Sequence, residues 1–123
     1  MQQVHEGAYD FTRYTLSGHR RLFDAFEEID SGPVAGPATA LVWSIEHFAL
    51  ALVNRPWMRA PVKGSVRLLF GWIRLLDRRL AERPAAVDGA SCTYFLGARR
   101  TDGRVSDESI VAGYRGAQSV RHT

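Results

Sequence analysis

Hydrophobic and polar positions follow two rhythms along the chain, and each rhythm marks a different kind of element. Residues 1–14 show no period and read as a loop. From Leu16 the apolar positions Leu16, Leu22, Phe23 and Phe26 recur at helical spacing, with Arg20, Arg21 and Asp24 on the other side. Thr15 stands where an N-cap belongs, and this helix should end near Ala25. "FEEIDSG", Phe26 to Gly32, has strand character and stops at a turn-rich "SGPVAGP" linker, Ser31 to Pro37. Pro37 suits a first helical turn. The next helix, Ala38 to Val53, is apolar nearly all round, which predicts burial on most sides.

"NRPWMRAP" interrupts the helical pattern at Pro56 and Pro61, and a third helix is predicted from Val62 to Glu82, ended by Pro84. Its stripe is Val62, Val66, Leu69, Ile73, Leu76 and Leu80, while Arg67, Arg74 and Arg78 share another face. "ASCTYFLGARR", Ala90 to Arg100, is the strongest strand: Cys92, Tyr94 and Leu96 point one way, Thr93, Phe95 and Gly97 the other. "RTDG" is a turn, Ser106 opens a short helix over "DESIVAGYRG", and the tail "AQSVRHT" is expected to fray. Two strands alone are marginal in water. Either the helices cover this pair, or it is the edge of a larger sheet.

Composition changes this picture little. At 123 residues the chain is one domain, 46% hydrophobic and 24% charged, as globular proteins are. The net charge is +3, carried by arginine, with Lys63 the only lysine; that balance alone does not point to nucleic acid. Cys92 is the only cysteine, so an intrachain disulfide and a zinc site built of cysteines are excluded, and a reducing cytoplasm fits. "MQQVHEGAYD" lacks the pattern of a signal peptide, and the longest apolar run, Ala38 to Val53, falls short of the roughly 20 residues that span a bilayer.

Much chemistry is absent. There is no phosphate-binding glycine loop, no H-E-x-x-H and no G-x-S-x-G. His5, His19, His47 and His122 have no metal-ligand spacing; His19 reads as solvent-exposed and His47 as a core histidine, with Glu46 either its partner or the mark of a solvated edge. One constellation stands out: His5, Glu6, Tyr9, Asp10, Arg13 and Tyr14. Asp10 and Arg13 are spaced for a charge-assisted hydrogen bond, and His5 is the residue type that serves as a general base near neutral pH. Two readings stand: a pinned loop leading into a capped helix, or the wall of a binding site. The basic face of the third helix, with Arg55, Arg59 and Lys63 ahead of it and Trp57, Phe70 and Trp72 interleaved, reads as a solvated face, a membrane-surface patch or, without any reader motif, a nucleic-acid surface.

"GAYDFTRYTLSGHRRLFDAFEEIDSG" resembles the segment after the fifth strand of class I S-adenosylmethionine-dependent methyltransferases, in particular the bacterial "type 11" group. His5, Asp10, Arg13, Tyr14 and Thr15, the helix from Leu16 and the strand Phe26–Gly32 carry the likeness, and "ASCTYFLGARR" looks like the last, antiparallel strand of that sheet. The resemblance implies a partial α/β fold, helix-strand-helix-helix-strand, in five parts: a substrate-side loop (1–15), a helix and strand (16–32), a helical insertion (37–83), the last strand (90–100) and a tail (101–123). It implies that His5, Tyr9, Asp10, Arg13 and Tyr14 line a substrate pocket for an unidentified methyl acceptor. The family's cofactor-binding half has no counterpart in the sequence, so S-adenosylmethionine is expected not to bind tightly to this chain alone. The rival expectations are a non-catalytic assembly module, pairing through an exposed strand edge with a second copy or a separate N-terminal half, and a peripheral membrane module.

Overall fold

The computed structural model describes residues 7–118. A 3-10 turn at Gly7–Tyr9 leads to α1 (Leu16–Leu22), β1 (Phe26–Ala35), α2 (Pro37–Ala51) and α3 (Pro56–Phe70). A second 3-10 segment, Gly71–Leu76, continues into α4 (Asp77–Leu80), followed by α5 (Pro84–Asp88), β2 (Cys92–Arg99) and α6 (Asp107–Ala112). The fold is therefore mixed helix and strand, with one two-stranded antiparallel sheet among the described residues.

Local chemistry explains most element ends. Thr15 caps α1, its hydroxyl accepting from the Gly18 N–H at 3.1 Å, and Ser106 caps α6 by accepting from the Ser109 N–H at 3.2 Å. Gly103, at φ 65°, makes the turn before α6. In β2 burial alternates as expected: Thr93, Phe95 and Gly97 are half-buried, Cys92, Tyr94 and Leu96 exposed. Phe95 stacks on Phe23 of the α1 end, ring centroids 5.3 Å apart, and Phe26 meets Phe23 edge-on.

The structure departs from the pattern reading in five places. First, β1 runs through the expected linker to Ala35: Pro33 pairs with Thr93, between bulges at Glu28/Asp30 and Pro33/Ala35. β1 pairs on one side only, and a strand of that kind tolerates a proline without an N–H. Second, α3 begins at Pro56, before Pro61. Pro61 removes the donor for the Trp57 carbonyl, but both residues are exposed, so water can satisfy it. Third, the helix does not continue unbroken to Glu82. At the weak helix former Gly71 it tightens into the 3-10 segment, where the Trp72 indole donates to the Leu69 carbonyl at 3.0 Å. Pro84 then opens α5. Fourth, α2 buries one stripe only, Ala38, Val42, Glu46 and Leu50; Leu41, Phe48 and Leu52 are exposed. Fifth, Arg20 and His19 lie inward, for reasons given below.

α2 and α3 form a hairpin closed at two points. At its end, the Asp77 carboxylate accepts from the Ala38 and Thr39 N–H groups, both at 2.9 Å, and from the Thr39 hydroxyl at 2.6 Å. This cap comes from 38 residues downstream, and it needs a glycine at the α2 N-cap: a Cβ on Gly36 would lie 2.5 Å from Asp77 Oδ1. Burial pushes the Asp77 pKa up, but the bonds from Thr39 and Ala38 outweigh it and leave the group below its ordinary value. Asp77→Ala is expected to cost about 1–2 kcal/mol in urea denaturation, with Asp77→Asn in between. An unchanged midpoint for Asp77→Ala would show that water caps α2 equally well.

In the middle of the hairpin, Glu46 is only 2% exposed and accepts from Arg67 Nε at 2.9 Å and Nη2 at 3.2 Å, with Lys63 Nζ 3.7 Å away. Glu46 is thus neither the partner of His47 nor a solvated edge. The His47 ring instead bonds the Trp43 carbonyl at 2.9 Å.

Candidate functional site: a basic, aromatic groove beside the strand ends

Residues 9–14 lie beside the end of β1 and the start of β2. They form one side of a groove of about 880 Å³, whose other side is Ala35, Thr39, Trp43, Ser91, Cys92 and Thr93, with Arg67 and Arg74 reaching in from the hairpin. A second concavity of about 780 Å³ adjoins it, sharing Arg13, Tyr14, Trp43, Ser91 and Thr93. The structure brings Tyr9, Asp10, Arg13 and Tyr14 together along one side of this groove. His5 lies outside the described residues.

The wall is built from within outward. Arg13 forms an ion pair with Asp10, three residues apart, which fixes the loop. Tyr14 packs on His19 with ring centroids 5.6 Å apart, and His19 Nδ1 is hydrogen-bonded to Thr93 Oγ1 of β2 at 3.1 Å. His19 is thus half-buried, tying α1 to the sheet beneath the wall, and not solvent-exposed. Capping and site building are one device: Thr15 starts the helix whose first turn carries His19 under Tyr14.

Behind the wall lies a network that spacing hid. Arg20, buried, forks onto Glu28, with Nη2 2.9 Å from Oε1, while its Nη1 donates to the Gly113 carbonyl at 2.7 Å. Ser31 donates to Glu28 Oε1 at 2.7 Å, and Arg115 Nη2 reaches the same oxygen at 2.9 Å. The Arg20 bond lowers the Glu28 pKa against the opposing effect of burial; Ser31 and the charges of Arg20 and Arg115 lower it further. One guanidinium so joins α1, β1 and the end of α6. Among the described residues every buried side-chain nitrogen and oxygen has a partner.

The groove's electrostatics favour an anionic or aromatic guest. Three guanidinium groups and His19 face one carboxylate, Asp10. Arg67 is held by Glu46, whereas Arg74 has no ion-pair partner among the described residues. Arg67, Arg74 and Trp43 were not legible as groove residues, because they arrive from the hairpin and not from the loop that marks the site. No cluster of three or more His, Cys, Asp or Glu able to hold a metal occurs among the described residues. No helix among them is long and apolar enough to cross a membrane.

The one strand-to-helix junction with a glycine beside this groove is β1–Gly36–α2, and there the Asp77 carboxylate already occupies the α2 N-terminus. No family model, curated protein or solved structure matches this chain.

Proposed function

We propose that this chain is the acceptor-side, C-terminal part of a class I S-adenosylmethionine-dependent methyltransferase domain, in which residues 9–15 wall the pocket of the methyl acceptor. The observation that carries the reading is the position of the groove. It lies at the carboxyl end of β1, where open α/β sheets receive ligands. The sheet itself supports it: among the described residues β2 pairs on one side only, which leaves an open edge of the kind on which further strands pair. The resemblance of residues 5–32 supplies the chemistry; the arginines supply a preference for an acceptor carrying negative charge.

On this reading the cofactor is held by strands other than β1 and β2. Calorimetric titration of the purified chain with S-adenosylmethionine is expected to show no binding at micromolar concentration. Micromolar affinity would overturn the reading. The coding sequence in frame upstream of Met1 offers a positive test: it should encode a strand followed by a glycine-rich turn and a later acidic residue.

The open edge of β2 also suits a second copy of the chain. Dimers in light scattering that persist on dilution would favour assembly over the methyltransferase reading.

A further inference from the structure

The two adjoining concavities of the candidate site differ in what lines them. Asp10, His19, Arg67 and Arg74 belong to the larger one alone. The smaller is lined by Leu16 of α1, by Pro37, Ala40 and Leu41 on one face of α2, and by Val87 and Ala90 at the end of α5. Leu41 leaves 51% of its surface open there. The charged groups of this smaller concavity are already engaged. Asp88 accepts from the Tyr114 hydroxyl at 2.5 Å and the Ala117 N–H at 2.9 Å, and Arg13 is paired with Asp10. Tyr14 and Trp43 line both concavities, so two aromatic side chains stand at their junction. At about 780 and 880 Å³, each is of a size that receives small molecules.

The charge count sets the head group. In the larger concavity Arg13 is answered by Asp10, and Arg67 gives Nε and Nη2 to Glu46. Arg74 has no ion-pair partner among the described residues. One guanidinium is thus left over, and it answers a single negative charge. A planar carboxylate matches its fork. The apolar lining next door answers a chain that water rejects.

We infer that the site takes an amphipathic carboxylate, with its acid group beside Arg74 and its apolar chain passing Tyr14 and Trp43 onto Pro37, Ala40 and Leu41. The inference rests on the reading of this groove as the acceptor's pocket, and it names the class of acceptor.

Calorimetric titration of the full chain with decanoate, kept below its micelle concentration, tests it, with decanol and acetate as the two halves. Decanoate is expected to bind one to one and at least roughly tenfold tighter than either half. Arg74→Ala, at an exposed position, should weaken decanoate roughly tenfold and leave decanol and the melting curve unchanged. Leu41→Ala, also exposed, should weaken decanoate and decanol alike by roughly threefold. Absence of decanoate binding overturns the proposal, as does decanol or acetate binding as tightly as decanoate. Unaltered decanoate affinity in Arg74→Ala overturns the placement of the acid group, and in Leu41→Ala that of the chain. The two readings fail separately. Micromolar binding of S-adenosylmethionine by the chain overturns the methyltransferase reading. A chain that binds neither cofactor nor decanoate overturns the acceptor class and leaves that reading standing.

Discussion

Arg20→Ala is expected to destabilise the fold by about 3 kcal/mol, the scale for removing one partner of a buried, hydrogen-bonded ion pair. The loss has two sources. Glu28 would keep Arg115 but lose its bidentate partner, and the Gly113 carbonyl at the end of α6 would lose its donor. Arg20→Lys restores the charge but not the fork that spans Glu28 and Gly113 together, so it should recover less than half of the loss. Equilibrium denaturation in urea measures both; a cost under about 1 kcal/mol for Arg20→Ala would mean that water screens the network. The pH dependence separates the ion pair from mere packing. The folded Glu28 pKa is depressed below its ordinary value of 4.5, so its contribution is complete above that value and is lost as pH falls through the folded one. The native chain should therefore lose stability on acidification below that ordinary value, and the Arg20→Ala chain should do so less steeply.

The second large effect is an asymmetry across the α2–α3 hairpin. Arg67→Ala should lower the urea midpoint the more, because it leaves a carboxylate that is 2% exposed with Lys63, 3.7 Å away, as its remaining ion-pair partner. Glu46→Gln should cost less, roughly 1 kcal/mol, because the cations it releases are 58% exposed at Arg67 and 44% at Lys63, and water solvates them in place. The Arg67 bond is the main cause of the lowered Glu46 pKa, opposed by burial and aided by the charges of Arg67, Lys63 and His47. Equal costs for the two variants would place Glu46 in contact with water after all. Because Arg67 also lines the groove, Arg67→Ala removes a cation there, whereas Glu46→Gln leaves it.

What the sequence made legible were interactions closed within a turn or along one strand. Thr15 and Ser106 cap helices through bonds to N–H groups three residues on, and β2 alternates because its neighbours in sequence point to opposite faces. Contacts between distant segments were hidden. Arg20 reads as part of a polar face until β1 and α6 close over it, and Glu46 reads as an edge until α3 folds back. Asp77 caps a helix that begins forty positions earlier, and Pro33 reads as a break until pairing on one side makes it tolerable. The groove divides the same way. Its Tyr9–Tyr14 wall lies in one unusual stretch, whereas Trp43, Arg67 and Arg74 come from segments whose patterns speak of helices and not of sites.

The register of the sheet bears on how the chain reaches its native state. Residue 26 meets residue 99 and residue 35 meets residue 92, so pairing the strands must close everything between them into one loop. Loop-closure entropy makes such distant pairing slow to nucleate. The helical hairpin inside that loop is joined by contacts of its own, at Asp77 and at Glu46, and once formed it brings the two strand segments nearer each other. The carboxylate at Asp77 thus acts as a clasp: by holding the hairpin shut, it shortens the search that the strands must complete.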